Sequence, residues 1–589
     1  MTTPGDVPAD ANYRGLVLGT ESEASTPLGF SVWVDPARFL QLDDVVTVQT
    51  TLPDGSQVET SGIVDEVRTL QEGVTLTSDV SLARDGILPA QHATSAHVSV
   101  TRVEPEVYVP PMPGQPVRLA EGAVRDRALF FDRMVERFSL GLARDGSPIL
   151  GNLEFLDGSK GAHVNISGIS GVATKTSYAT FLLYTLFEGA ALGGRRANAK
   201  ALIFNVKGED LLFLDRPNVM LNDEVKARYA SLGLPAGPFG SVGFFAPVRR
   251  GDLPIPDTGS RQEGVTGFFW TLREFCAEGF LPFLFTEADA ETSQLSNVIE
   301  DVTARLAVSA KSSPSGANVW IDDVEVETFD ELLDAIDAHL DPDSDLAHKW
   351  AGSGNSAAAV GTVRAFMRRM RAASRHVGTL VRGAGAANPE RHRIAFEHQV
   401  TVVDLHRLHD RAQRFVVGIL LRRVMEERES RPGTDRPAPF FVVVDELNKY
   451  APRTGRSPIK EALLDIAERG RSLGVILIGA QQTASEVEPR IVANAAFRVV
   501  GRLDPAEAQR AEYRYLTPTA QKRAALLKPG SMIVAQPEIP VPLLLEFPWP
   551  GWATRAAEVA PPTTNRDGDT GDRQGPRLLR RFDVGDPED

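Results

Sequence analysis

Three stretches of this 589-residue chain set side chains at spacings that suit phosphate chemistry. The first is HVNISGISGVATKTSYATFLL, His163 to Leu183, in which an apolar strand runs into a glycine-containing loop and then a helix opening at about Lys175. Such a loop turns backbone N–H groups and a helix N-terminus toward a polyphosphate. A lysine there neutralises the outer phosphates, and the hydroxyl that follows can ligate Mg²⁺. Gly168, Gly171, Val172, Ala173, Thr174, Lys175, Thr176 and Ser177 are the candidate binding residues, with Thr176 also a metal ligand. The spacing departs from the usual pattern: Thr174, not glycine, precedes Lys175, and Gly168 lies one residue too far back. Taken alone, the stretch also reads as a plain glycine-rich turn.

The second stretch, PFFVVVDELNKY, is an apolar strand ending in Asp445 and Glu446. Adjacent carboxylates are costly at a buried strand end unless they are used, and the carboxyl ends of strands are where open α/β sheets bind ligands. Asp445 is the candidate for holding Mg²⁺ and Glu446 for polarising an attacking water. Asp445 would alternatively cap a following helix. The third stretch, ERGRSLGVILIGAQQ and onward to Leu503, ends a strand at Gln481, an amide suited to sensing a terminal phosphate or orienting water. Arg469, Arg471 and Arg502 are candidate charge-stabilising fingers for a neighbouring subunit's site. Each of them equally suits a solvated helix face or an ion pair.

The elements that must position these residues follow from periodicity. Residues 1–106 alternate apolar and polar in short runs, with a turn at Pro53 to Gly55, and predict a small antiparallel β-barrel. The proline-rich stretch after it marks a linker over 107–139. Val/Ile/Phe runs alternating with helical stretches predict an α/β core with a parallel sheet over 140–214 and 394–559. A mostly helical insertion is expected over 215–393, and a disordered or partner-docked tail over 560–589.

Hydrophobic residues make up 42% of the chain and charged residues 24%, enough for several cores. No run of eighteen apolar residues appears, and the first residues lack the build of a signal peptide, so a cytoplasmic protein without membrane contact is expected. The single cysteine, Cys276, excludes an internal disulfide and a cysteine metal cluster. A net charge of −15 argues against a surface that coats nucleic acid but leaves room for a locally basic pore. Arg364, Arg368, Arg371 and Arg375 share one helical face, which suits phosphates or an acidic neighbour equally. His406 and His409 lack a further ligand set and read as a turn after a strand, and Trp549 and Trp552 as packing of the chain end.

The order barrel, phosphate loop after His163, strand ending Asn205-Val-Lys-Gly-Glu209, VVVDE, GRSLGV and GAQQ resembles the HerA-like ATPases, whose barrel is of the type found in ATP synthase subunits. The resemblance runs from about Gly15 to Pro548. It implies a P-loop NTPase core of the RecA/FtsK-like kind, binding ATP and Mg²⁺, in a homo-oligomeric, hexameric ring. Such a ring would translocate double-stranded DNA and work with a partner nuclease or antiphage effector. Asn205 stands where that family more often has Asp. With the altered loop, this keeps a second reading open: a nucleotide-binding scaffold that regulates an effector with little motor activity.

Overall fold

The computed structural model describes residues 10–21, 23–72, 74, 77–88, 91–169, 175–208, 210–251, 253–285, 293–312, 316–341, 343–344, 350, 360–383, 392–431 and 436–561. The first six strands are Tyr13–Val17 (β1), Gly29–Val34 (β2), Val45–Thr51 (β3), Gln57–Glu72 (β4), Gln91–Glu104 (β5) and Pro116–Leu119 (β6). They close a barrel in the order β1-β2-β5-β4-β3-β6. Strict alternation of buried and half-buried residues along β1 and β2 sends Val17, Phe30, Val32 and Val34 into its centre. The turn expected at Pro53 to Gly55 joins β3 to β4: Gly55 takes a left-handed φ of 85°, and the Leu52 N–H donates to the Ser56 carbonyl at 2.8 Å. The barrel does not end at residue 106. Its closing strand β6 comes from the stretch expected as linker, with Pro116 at the first position, where a strand tolerates proline.

Twelve further strands form one sheet: Arg137–Leu142 (β7), Pro148–Asn152 (β8), Val164–Ser167 (β9), Lys200–Asn205 (β10), Val242–Pro247 (β11), Val265–Phe268 (β12), Val400–Asp404 (β13), Phe440–Asp445 (β14), Val475–Gln481 (β15), Phe497–Val500 (β16), Ser531–Gln536 (β17) and Ile539–Glu546 (β18). The order is β12-β11-β13-β10-β14-β15-β9-β16-β17-β18-β7-β8. Pairing is parallel from β12 through β16 and antiparallel from there to β8. Successive residues of the central strands feed two cores on opposite faces. Leu202, Val442, Val444 and Leu477 pack on one side, against the helices Asp410–Glu429 and Pro458–Leu473. Ala201, Ile203, Val443 and Ile478 pack on the other, against the helix Lys175–Phe187. Burial on both faces is why these strands read as unbroken apolar runs. The chain therefore has an α/β fold built on one large, mainly parallel sheet, with an N-terminal closed barrel.

The expected insertion at 215–393 is narrower than the sequence suggested, because β11 and β12 lie within it and extend the parallel sheet. These strands are short, and a short apolar run carries no periodicity that separates strand from helix. The insertion proper begins at Trp270 and carries the helices Leu272–Ala277, Ser293–Ser309, Phe329–Leu340 and Val360–Val377, with a three-stranded sheet between them. Phe275, Phe329, Phe366 and Met370 seat it on the helix Asp410–Glu429 through one shared core. Beyond β18 the chain crosses the top of the core. Trp552 packs on Tyr184 and Phe239 with ring centroids 4.7 and 5.0 Å away, as expected of the chain end, whereas Trp549 stays 41% exposed. The tail expected over 560–589 lies outside the described residues from 562 on. Among the described residues no helix is long and apolar enough to cross a membrane.

Cys276 is fully buried beside Phe275, and burial pushes its thiol up to about 12. A thiol reagent at pH 8 is expected to label it only after unfolding in denaturant. Labelling of the native protein at the rate of a free thiol would show that the insertion does not pack as described.

Candidate active site

The strand β9 lies between β15 and β16, so the loop leaving it starts between the ends of two parallel neighbours. The Gly168 N–H donates to the Gln481 carbonyl at 3.2 Å and the Ile169 N–H to the Arg502 carbonyl at 2.7 Å. The chain returns at Lys175, the first residue of a 13-residue helix. Lys175 is only 3% exposed, and its Nζ donates to the Gly168 carbonyl at 2.8 Å. Burial, and after it the Lys207 ammonium, lower the Lys175 amine to about 8 against the opposing pull of Asp445 and Glu446. Gly171, Val172, Ala173 and Thr174, expected to bind phosphate, lie outside the described residues. Ser177 lines the cavity described below.

Two strands away in the sheet, β14 delivers the carboxylates to the same edge. The Thr176 hydroxyl donates to Asp445 Oδ2 at 2.9 Å, while Asp445 Oδ1 accepts the Glu446 N–H at 2.8 Å. Thr176 and Asp445 thus present converging hard oxygen donors of the kind that Mg²⁺ takes. Glu446 sits at φ 55°, ψ 49°, a left-handed conformation that costs a non-glycine residue about 1–2 kcal/mol. Such strain persists only where the surroundings hold it. Leu447, the next residue, is fully buried against β15 at Gly479, where a Cβ would come within 2.5 Å of its side chain. A cavity of about 220 Å³ opens beside these groups, lined by Lys175, Thr176, Asp445, Lys207, Asp210 and Arg555 among others.

Other expected site residues fall elsewhere. Gln481 is fully buried, and its amide donates to Asn165 Oδ1 at 2.8 Å and Ser167 Oγ at 2.9 Å, with its Oε1 unpaired among the described residues. Arg469 pairs with Asp465 and Glu429, and Arg471 donates to the carbonyls of Gly158 and Ser159. Both stand where the helix Pro458–Leu473 leads into the start of β15, the edge opposite Lys175, so neither joins Lys175 and Asp445. Arg502 is exposed just past β16, its carbonyl accepting from the Ile169 N–H at the start of the loop that leaves β9. Asn205 has a local reason to be an amide: its Nδ2 donates to the buried Asp404 Oδ1 and to the Gly208 carbonyl, both at 3.0 Å. A second carboxylate there would face the first.

His406 also bonds Asp404, and His409 caps the helix Asp410–Glu429, as a turn after a strand requires. Among the described residues no group of three metal-ligating side chains occurs. Sequence reasoning assigned no role to Lys207, whose Nζ stands 3.1 Å from Asp445 Oδ2 and 3.2 Å from Glu446 Oε1. Its place two residues past the carboxyl end of a parallel strand was the available signal. The cavity wall formed by Trp549, Pro550, Thr554, Arg555 and Glu558 had none.

No protein-family model matches the chain. A protein named as a probable helicase of Methanocaldococcus jannaschii is 23% identical over 156 residues, which is 26% of this chain and 30% of that protein. The chain thus matches less than a third of that relative's length. Among solved structures, the bacterial conjugative coupling protein TrwB is similar over 73% of this chain and 93% of its own, at 12% identity and a TM-score of 0.42. TrwB in complex with ADP and Mg²⁺ covers 67% and 88%, at 12% identity and 0.40. VirB4 of Thermoanaerobacter pseudethanolicus covers 70% and 96%, at 14% identity and 0.41.

The left-handed backbone at Glu446 yields a stability test. Glu446→Gly removes the steric penalty, whereas Glu446→Val adds a β-branch to it, and the two variants should differ by about 1–2 kcal/mol in favour of glycine. Urea denaturation measures this difference. Equal stabilities would mean that residue 446 does not hold this conformation.

Proposed function

We propose that this chain is one subunit of a homo-oligomeric ring, of six, that binds ATP with Mg²⁺ and hydrolyses it to translocate double-stranded DNA. The observation that carries the reading is the convergence of Lys175, Thr176 and Asp445, with Glu446 held one residue further in a strained backbone. In this reading the phosphates lie on the loop from Gly168 and the N-terminus of the helix Lys175–Phe187, and Lys175 neutralises the outer oxygens. Thr176 and Asp445 would hold Mg²⁺, which would supply positive charge to the phosphate oxygens. Glu446 accepts a proton from the water attacking the terminal phosphorus, and the bond to the bridging oxygen breaks to leave ADP and phosphate.

The ring and the DNA rest on other supports. Arg469 and Arg471 lie away from their own site, as residues that serve a neighbour would. Arg364, Arg368 and Arg375 are exposed on one face of the helix Val360–Val377, although Arg371 on that face is taken by Asp334 and Asp337 at 2.9 and 2.8 Å. The resemblance of motif order and the relative named as a probable helicase point the same way. A nuclease or antiphage effector as partner follows from the resemblance alone.

Titration with a fluorescent ATP analogue is expected to show binding by the wild type and none by Lys175→Ala, because the loop's cation is lost. Unchanged affinity would place the phosphates elsewhere. Glu446→Gln should still bind, while phosphate release falls by about two orders of magnitude or more. Wild-type release should rise with duplex DNA. Turnover that survives in Glu446→Gln would remove this residue as the base, and release indifferent to DNA would remove the motor. Mass measurement in dilute solution should find the ring, and a strict monomer with and without nucleotide would defeat it.

A further inference from the structure

Lys207 is brought to the acid pair by strand order. β10 lies directly beside β14 in parallel register, Phe204 opposite Val444, so the chain leaving Asn205 passes the end of β14, and Lys207, two residues on, reaches Asp445 and Glu446 with its side chain. There a single ammonium faces two carboxylates at once. Asp445 Oδ2 is the oxygen that also takes the Thr176 hydroxyl, and so is the one aimed at a metal. Lys175 already supplies one buried cation at this edge. A divalent ion on Thr176 and Asp445 would share that carboxylate oxygen with the Lys207 amine, so ion and ammonium would repel and compete for it.

The loop that carries Lys207 is tied to the far wall of the cavity. Gly208, at φ 58°, is held by the Asn205 amide. Asp210 Oδ1 accepts from Arg555 Nε at 2.6 Å, and the Leu211 N–H donates to the Thr554 carbonyl at 3.1 Å. Thr554 and Arg555 belong to the chain-end segment that lines the cavity, so whatever fills the cavity touches the segment that anchors this loop.

We infer that Lys207 is a latch on the acid pair: it holds Asp445 and Glu446 together, and yields both when nucleotide and metal enter the cavity, the Asp210–Arg555 tie linking its withdrawal to the chain-end segment. This rests on the nucleotide site proposed above. Lys207 acts by occupying the two carboxylates, as a positioning residue, and not on the phosphates. The geometry separates it from Lys175, whose amine points to the phosphate loop.

The test compares wild type, Lys207→Met and Lys207→Arg in the full chain, reading the Mg²⁺ concentration that gives half-maximal binding of a fluorescent ADP analogue. Methionine keeps the length and removes the competing charge, so the Mg²⁺ midpoint should fall by about threefold or more, while affinity at saturating Mg²⁺ stays within about threefold of wild type. Arginine keeps the charge and should keep the wild-type midpoint. A smaller shift or a rise with methionine, or arginine behaving as methionine does, overturns the latch. Loss of affinity at saturating Mg²⁺ overturns it too, because it would make Lys207 a phosphate ligand. If wild type binds no analogue at any Mg²⁺ concentration, the nucleotide site itself falls. If wild type binds, Lys175→Ala does not, and Lys207→Met matches wild type, only the latch falls.

Discussion

The hydrogen bond between Thr176 and Asp445 joins residues 269 positions apart, and the candidate chemistry depends on it. It exists because β9 and β14 are parallel and separated by the single strand β15, whose pairing sets Gln481 opposite Ser167 and Ala480 opposite Asp445. That register brings the two strand ends level, within reach of a threonine hydroxyl and a carboxylate. Nothing local to either motif could achieve this. The two cores on opposite faces of the sheet hold the register, because a slip of one residue would exchange the side chains that each face buries.

Around this contact the structure concentrates unfavourable terms. Two ammoniums, Lys175 and Lys207, share an edge with two carboxylates, and Glu446 stands in a backbone region that resists a side chain. Pairing offsets part of the electrostatic cost: Lys207 meets both carboxylates, Lys175 donates to the Gly168 carbonyl, Asp445 is met by Thr176, Lys207 and a backbone N–H, and Asp404 nearby by Asn205 and His406. The strain at Glu446 has no such offset on its own residue. It is held by the packing of Leu447 against Gly479, a relation between one strand and the turn after its neighbour.

The added parts meet the core through different physics. The barrel keeps its own apolar centre, while Val45 and Ile63 on its outside join one core of the main sheet and Arg523 meets Asp43 by two contacts at 2.8 Å. The insertion has no centre separate from the core: its aromatic residues share one cluster with the central strands and the helix Asp410–Glu429. The insertion cannot move without disturbing the face of the sheet that carries β14.

The sequence by itself determined the local units. The step from β9 through a loop to a helix at Lys175, the apolar strand closing in Asp445 and Glu446, the strand ending at Gln481 and the turn at Gly55 are all written in residue type and short-range period. Tertiary structure decided what those units meet. Pro116 at the head of a four-residue strand looks like linker until the barrel closes on it, and β11 and β12 look like insertion until they pair with β13. The orientation of Gln481 into the sheet, the placing of Arg469 and Arg471 at the far edge, and the arrival of Lys207 at both carboxylates follow from strand order. Strand order is a long-range property: it is fixed by which faces can be buried together, and no window of sequence contains that information.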